Sequence, residues 1–144
     1  MFKFLSIILA AIMTFTLTAC GEGDKAETVA TKFIQAVYKA DVKDAMSYID
    51  FSVKDAKDEV AAEEAKKMIE GKFSQMFPER KKEIDEKAGG VKEVKVTSVK
   101  YDETNTKACV VVTVTFNGKY HGRTSNDEKV NLVKTDDGWK VNMM

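Results

Sequence analysis

Few side chains in this sequence are of types that carry out chemistry, and their spacing limits what they could do. The chain has one histidine, His121, and two cysteines, Cys20 and Cys109. A metal centre at His121 would have to draw its other ligands from scattered carboxylates, without the closely spaced His and Cys of established metal sites. His121 therefore reads as an exposed residue of a polar strand or loop, and neither metal nor cofactor is expected. Cys109 stands beside Val110 and Val111 in an apolar run and reads as a buried, inert thiol, because reactivity needs exposure and a lowered pKa. A proton-transfer site of the isomerase or hydratase kind would combine an Asp base with Tyr or acid donors to an oxyanion. Asp41, Asp44, Tyr38, Tyr48 and Tyr101 supply those types. Asp41 and Asp44 are better explained as caps of a helix, while the tyrosines and Trp139 either line a cavity or plug a core. Arg80-Lys81-Lys82 is interleaved with Glu79, Glu83, Asp85 and Glu86 and reads as a solvated helix face. No Gly-rich phosphate loop and no Ser/His/Asp arrangement stands out, so no catalytic residue is assigned.

Cys20 has a different context. Residues 1–19 carry one charge, Lys3, and from Phe4 to Ala19 the only polar residues are Ser6, Thr14, Thr16 and Thr18. A short basic start, an apolar centre and a small-residue close describe an export signal. The apolar stretch falls short of the roughly 20 residues that a bilayer-spanning helix needs. Leu17-Thr18-Ala19-Cys20 resembles the lipobox of bacterial lipoproteins, an aliphatic residue and two small ones before the acceptor Cys. By that resemblance Cys20 takes a thioether-linked diacylglycerol, cleavage before it frees its amine, and the amine receives a further acyl chain. Burial of acyl chains is worth ~0.8 kcal/mol per methylene, so two or more chains hold a protein stably on a membrane. Gly21-Glu22-Gly23 then forms a short flexible tether that keeps the domain close to the bilayer. Gly21, where an Asp directly after the lipidated Cys would favour inner-membrane retention, points by the same resemblance to the outer membrane, facing the periplasm, in a two-membrane envelope.

The elements that must position any site belong to one domain, residues 24–144. The full chain balances 23 basic against 23 acidic residues, which excludes a strongly basic nucleic-acid binder and a highly acidic tail protein. Asp24 to Glu27 has the spacing of a capping box, and Val29, Phe33, Ala36, Val37 and Ala40 recur at helical period. A second short helix opens at Asp41, with Val42, Ala45, Met46 and Ile49 inward. Ser52 or Asp55 caps a third helix through Val60, Ala61, Ala65, Met68 and Ile69, running past Gly71 to Phe77, where Pro78 stops it or starts a new segment. A charged helical piece, Glu79 to Lys87, ends at Gly89-Gly90. The period then changes to two: strands are expected over Val91–Tyr101, Ala108–Phe116, Lys129–Lys134 and Trp139–Met143. Turn signals fall at Asp102 to Asn105, Asn117-Gly118, Ser125 to Glu128 and Asp137-Gly138. Helices followed by hairpin-linked strands predict an α+β fold, N-terminal helices packed on a curved antiparallel sheet of about four strands.

This order resembles a family of small bacterial lipoproteins of unknown function with a nuclear-transport-factor-two-like, or cystatin-like, α+β cone. The residues that carry the resemblance are Glu27 to Tyr38, Ala40 to Ala45, and the terminal pair Val130 to Lys134 and Gly138 to Val141. The resemblance implies a sheet curled around a long helix, often with an apolar pocket at the open end, and it fixes no chemistry. The expected role is a lipid-anchored cell-envelope protein with non-enzymatic binding of a small apolar ligand or a protein partner, and no nucleic acid. The alternatives are an envelope assembly or structural factor without ligand and an isomerase- or hydratase-like enzyme.

Overall fold

A computed structural model describes residues 24–51 and 59–143. Cys20, the export segment and the tether lie outside the described residues, as do Ser52 and Asp55. The order is α1 (Ala26–Tyr38), α2 (Val42–Ser47), α3 (Glu59–Ala88), β1 (Val91–Tyr101), β2 (Lys107–Tyr120), β3 (Arg123–Thr135) and β4 (Gly138–Val141). The strands form one antiparallel sheet in the order β1-β2-β3-β4, the α+β class expected from the sequence.

The alternation of β2 sets the layers. Ala108, Val110, Val112, Val114 and Phe116 are all buried on one face, and the helices cover that face. α1 packs against all four strands through residues such as Val29, Phe33 and Val37, while α3 meets chiefly β2. β4 is a short edge strand. The stretch after α2 covers it, with Val141 N–H donating to Tyr48 at 2.7 Å and Asp50 N–H to Val141 at 2.8 Å. Such cover blunts an edge that would otherwise offer unpaired backbone groups.

Local chemistry explains the joints. α1 ends with Asp41 N–H on Ala36 O at 2.9 Å and Ala40 N–H on Val37 O at 3.2 Å, a Schellman ending in which Ala40, at φ 60°, stands where glycine is usual. Asp41 does cap α2, its Oδ1 accepting from Asp44 N–H at 3.1 Å. Asp102 closes the β1–β2 connection by accepting from Thr106 and Lys107 N–H at 2.8 and 3.1 Å.

Several local expectations are corrected. Asp24 does not cap α1: Lys25 takes the cap position without a side-chain cap bond, and Asp24 pairs with Lys32 at 2.8 Å. Pro78 neither stops nor restarts a helix, because α3 is continuous through it and through Gly71. Pro78 lies on the exposed side, while Phe77 and Ile84 pack inward and carry the helix through. Asn117-Gly118 is not a turn but an irregular stretch inside β2. Asn117 N–H donates to Gly90 O at 3.0 Å and its side-chain amide to Gly89 O at 2.8 Å. A Cβ on Gly118 would stand 3.1 Å from Ala88 O, so this pair docks the α3–β1 joint onto β2. The reversal comes at His121-Gly122, both at positive φ, 52° and 76°, as a two-residue primed turn requires. Ser125 to Glu128, expected as a turn, therefore lies within β3. The last strand ends at Val141, short of Met143.

Candidate functional site

From Asn126 to Leu132 the even-numbered residues of β3 face the helices. Leu132 and Val130 are buried there, and the same row continues with Glu128 and Asn126, opposite Val112 and Val114 of β2. The row thus changes from apolar to polar where the sheet reaches the C-terminal end of α1. Tyr38, the last residue of α1, and Arg80 of α3 meet it there. The Tyr38 hydroxyl donates to Glu128 Oε1 at 2.6 Å. Arg80 Nη2 donates to the same oxygen at 3.0 Å and to the Tyr38 hydroxyl at 2.9 Å. The Asn126 amide donates to Glu128 Oε1 at 2.9 Å. The Arg80 guanidinium also lies 4.7 Å above the Tyr38 ring centre, a cation–π contact. Burial, and then the hydrogen bond to Glu128, push the Tyr38 hydroxyl up to about 12, so it serves as a proton-holding donor.

Arg80 corrects the solvated-face reading of Arg80-Lys81-Lys82. Lys81 pairs with Asp85 at 2.7 Å on the surface and Lys82 is exposed, but Arg80 turns inward. Phe77, Ile84 and Ala88 are buried, and Arg80 falls on their stripe at helical spacing. That spacing was visible in the sequence as an arginine within an apolar face.

Two members of this cluster, Arg80 and Asn126, also line a half-open cleft of about 400 Å³, whose other walls are Phe116, Tyr120, His121, Arg123 and Ser125. Phe116 and Tyr120 meet edge to face, ring centres 5.5 Å apart. The Tyr120 hydroxyl donates to Glu83 Oε2 at 2.9 Å, and Lys87 pairs with Glu83 Oε1 at 2.6 Å. Lys87 first, and then Tyr120, hold the Glu83 carboxyl below its ordinary range. His121 is exposed on the turn, as expected, with Nε2 3.8 Å from Glu83 Oε1.

The other candidate residues do not gather. Asp41 and Asp44 are exposed at the start of α2. Tyr101, at the opposite end of β1 from the cleft, donates to Glu27 at 2.7 Å and meets Trp139 edge to face. Tyr48 is partly exposed beside β4. Of the aromatic set, only Tyr38 plugs the core while lending its hydroxyl to a site. Cys109 is a correction: it is half-buried rather than part of the core, because odd-numbered β2 residues point away from the helices. Among the described residues no group of three or more His, Cys, Asp or Glu could hold a metal ion.

The fold has a solved counterpart. A Campylobacter jejuni protein provisionally named an NTF2-like transpeptidase aligns with a TM-score of 0.66 at 27% identity, covering 84% of this chain and 100% of that one. No curated protein matches the chain. Over residues 18–142, nearly its whole length, the chain matches the family described as a domain of unknown function, DUF4878, and it belongs to that family.

Proposed function

We propose that this protein is a lipid-anchored binding module of the bacterial cell envelope, held to the membrane at Cys20 and using the cleft between α3 and the β2–β3 hairpin to hold a small ligand. The cleft carries the binding reading. It joins aromatic and cationic walls to Arg80 and Asn126, which Glu128 holds in place, and its volume lies at the low end of the range for small-molecule sites. The residues inside the cone form one buried apolar cluster, and the proposed ligand is held in the polar cleft beside it. Leu17-Thr18-Ala19-Cys20 supports the anchor, and Gly21 supports the periplasmic face of the outer membrane in a two-membrane envelope. No helix among the described residues is long and apolar enough to cross a membrane.

The neighbour's provisional name brings transpeptidation into view. Acyl transfer needs a nucleophile activated by an adjacent base. Ser125 and His121 share the cleft, yet among the described residues no hydrogen bond joins them, and we assign this chain no acyl transfer. A second reading, an assembly or structural factor, draws support from Val60, Met68 and Met76, which stand exposed on α3.

Native mass spectrometry of the protein extracted from its host in mild detergent tests the binding reading. The expected result is an extra mass of a few hundred daltons above the acylated chain, lost on denaturation. A bare acylated monomer contradicts it, and a co-purifying protein mass supports the second reading instead.

A further inference from the structure

The charges around the cleft are uneven. Arg80, Arg123 and His121 line it, and no Asp or Glu does. The two nearby acids are already engaged. Glu128 Oε1 accepts from Tyr38, Arg80 and Asn126, and Glu83 is held by Lys87 and Tyr120. Arg80 reaches its partners through Nη2, which leaves the other donors of its fork outside these bonds. Arg123, exposed at the first position of β3, has no ion pair among the described residues. With Arg80 balanced by Glu128, Arg123 is the guanidinium of the lining left without a counter-charge among the described residues, and its planar fork matches a carboxylate.

We infer that the ligand of this cleft is a small organic carboxylate with an amide beside it, the chemistry of a free peptide C-terminus. Arg123 and the unused edge of Arg80 hold the carboxylate, since guanidinium forks match planar carboxylates. Asn126 spends its amide donor on Tyr38 and Glu128, so its carbonyl oxygen accepts the ligand N–H, and the Ser125 hydroxyl can donate or accept beside it. Phe116 and Tyr120 give the ligand's body an apolar wall. This inference rests on the binding reading above and narrows it to one ligand class.

The test is an amide-resolved NMR titration of the detergent-solubilised full chain with N-acetyl-Ala-Ala, its C-terminal amide and inorganic phosphate. The free acid is expected to shift the amides of residues 121–126 and to bind about tenfold or more tightly than the amide, the equivalent of one charge-assisted hydrogen bond. Arg123→Ala, an exposed change that leaves the melting temperature unaltered, is expected to weaken the acid by a similar factor. Equal binding of acid and amide overturns the carboxylate inference while leaving the cleft a binding site. Phosphate binding as tightly as the acid also overturns it, leaving a general anion site. If nothing binds while the host-extracted protein carries a non-covalent mass, the inference alone fails. If nothing binds and that protein is bare, the binding reading fails with it.

Discussion

Tyr38 keeps its proton because its ring is buried and its hydroxyl already has an acceptor in Glu128. Its folded pKa, about 12, exceeds the ordinary 10.0, so the folded state binds the proton more tightly than the unfolded chain. The stability from this difference is complete below about pH 10 and is lost as pH rises from 10 towards 12. Tyr38→Phe should therefore cost about 1–2 kcal/mol at pH 7, from the lost hydrogen bond to a charged acceptor. It should also flatten the alkaline fall of stability, as read by urea unfolding at pH 7 and pH 11. Glu128→Gln leaves the half-buried Arg80 without its counter-charge and should cost about 1–3 kcal/mol in the same measurement. This polar cluster was only partly legible in the sequence. Arg80 could be found on the Phe77–Ile84 stripe. Glu128 and Asn126 sit in a polar run that imitates a turn, and only the period of two carried back from Leu132 and Val130 identifies them as inward-facing.

Some element ends obey local rules and others are set by contacts distant in sequence. β1 begins at Val91 and ends at Tyr101 as its alternation predicts, because a glycine pair precedes it and Asp102 follows. The β2–β3 reversal escaped because Asn117-Gly118 is the stronger hairpin signal by composition, whereas its amides serve the α3–β1 joint and the turn falls to His121-Gly122. Ala40 holds a left-handed conformation at the end of α1, which costs a residue with a Cβ about 1–2 kcal/mol. Ala40→Gly should accordingly raise stability by up to about 1 kcal/mol, seen as a higher urea midpoint. α3 is packed unevenly along its length. Ile84 is 1% exposed and Met68 is 62% exposed. Ile84→Ala should cost about 2–5 kcal/mol and Met68→Ala no more than about 0.5 kcal/mol. Similar losses at both positions would show that the first half of α3 is buried in solution.

At the scale of the molecule, the change of period from helical to two placed the chain in the α+β class, and the helices with their four-stranded antiparallel sheet and the solved counterpart agree with it. Pairing partners and the depth of the core were less legible, because they depend on contacts between residues far apart in sequence, such as Tyr38 with Glu128 and Arg80. The proposed anchor at Cys20 underlies the proposal about place, since an anchor there would set the compartment in which the cleft meets its ligand. Two or more acyl chains on one residue give stable membrane attachment, and removal of their acceptor removes it. The most direct test feeds a clickable fatty acid to the host and compares the wild-type chain with Cys20→Ser by labelling and fractionation. The wild type should be labelled and recovered with membranes, and the variant should be unlabelled and released. Label on the variant, or its full retention with membranes, would contradict the anchor.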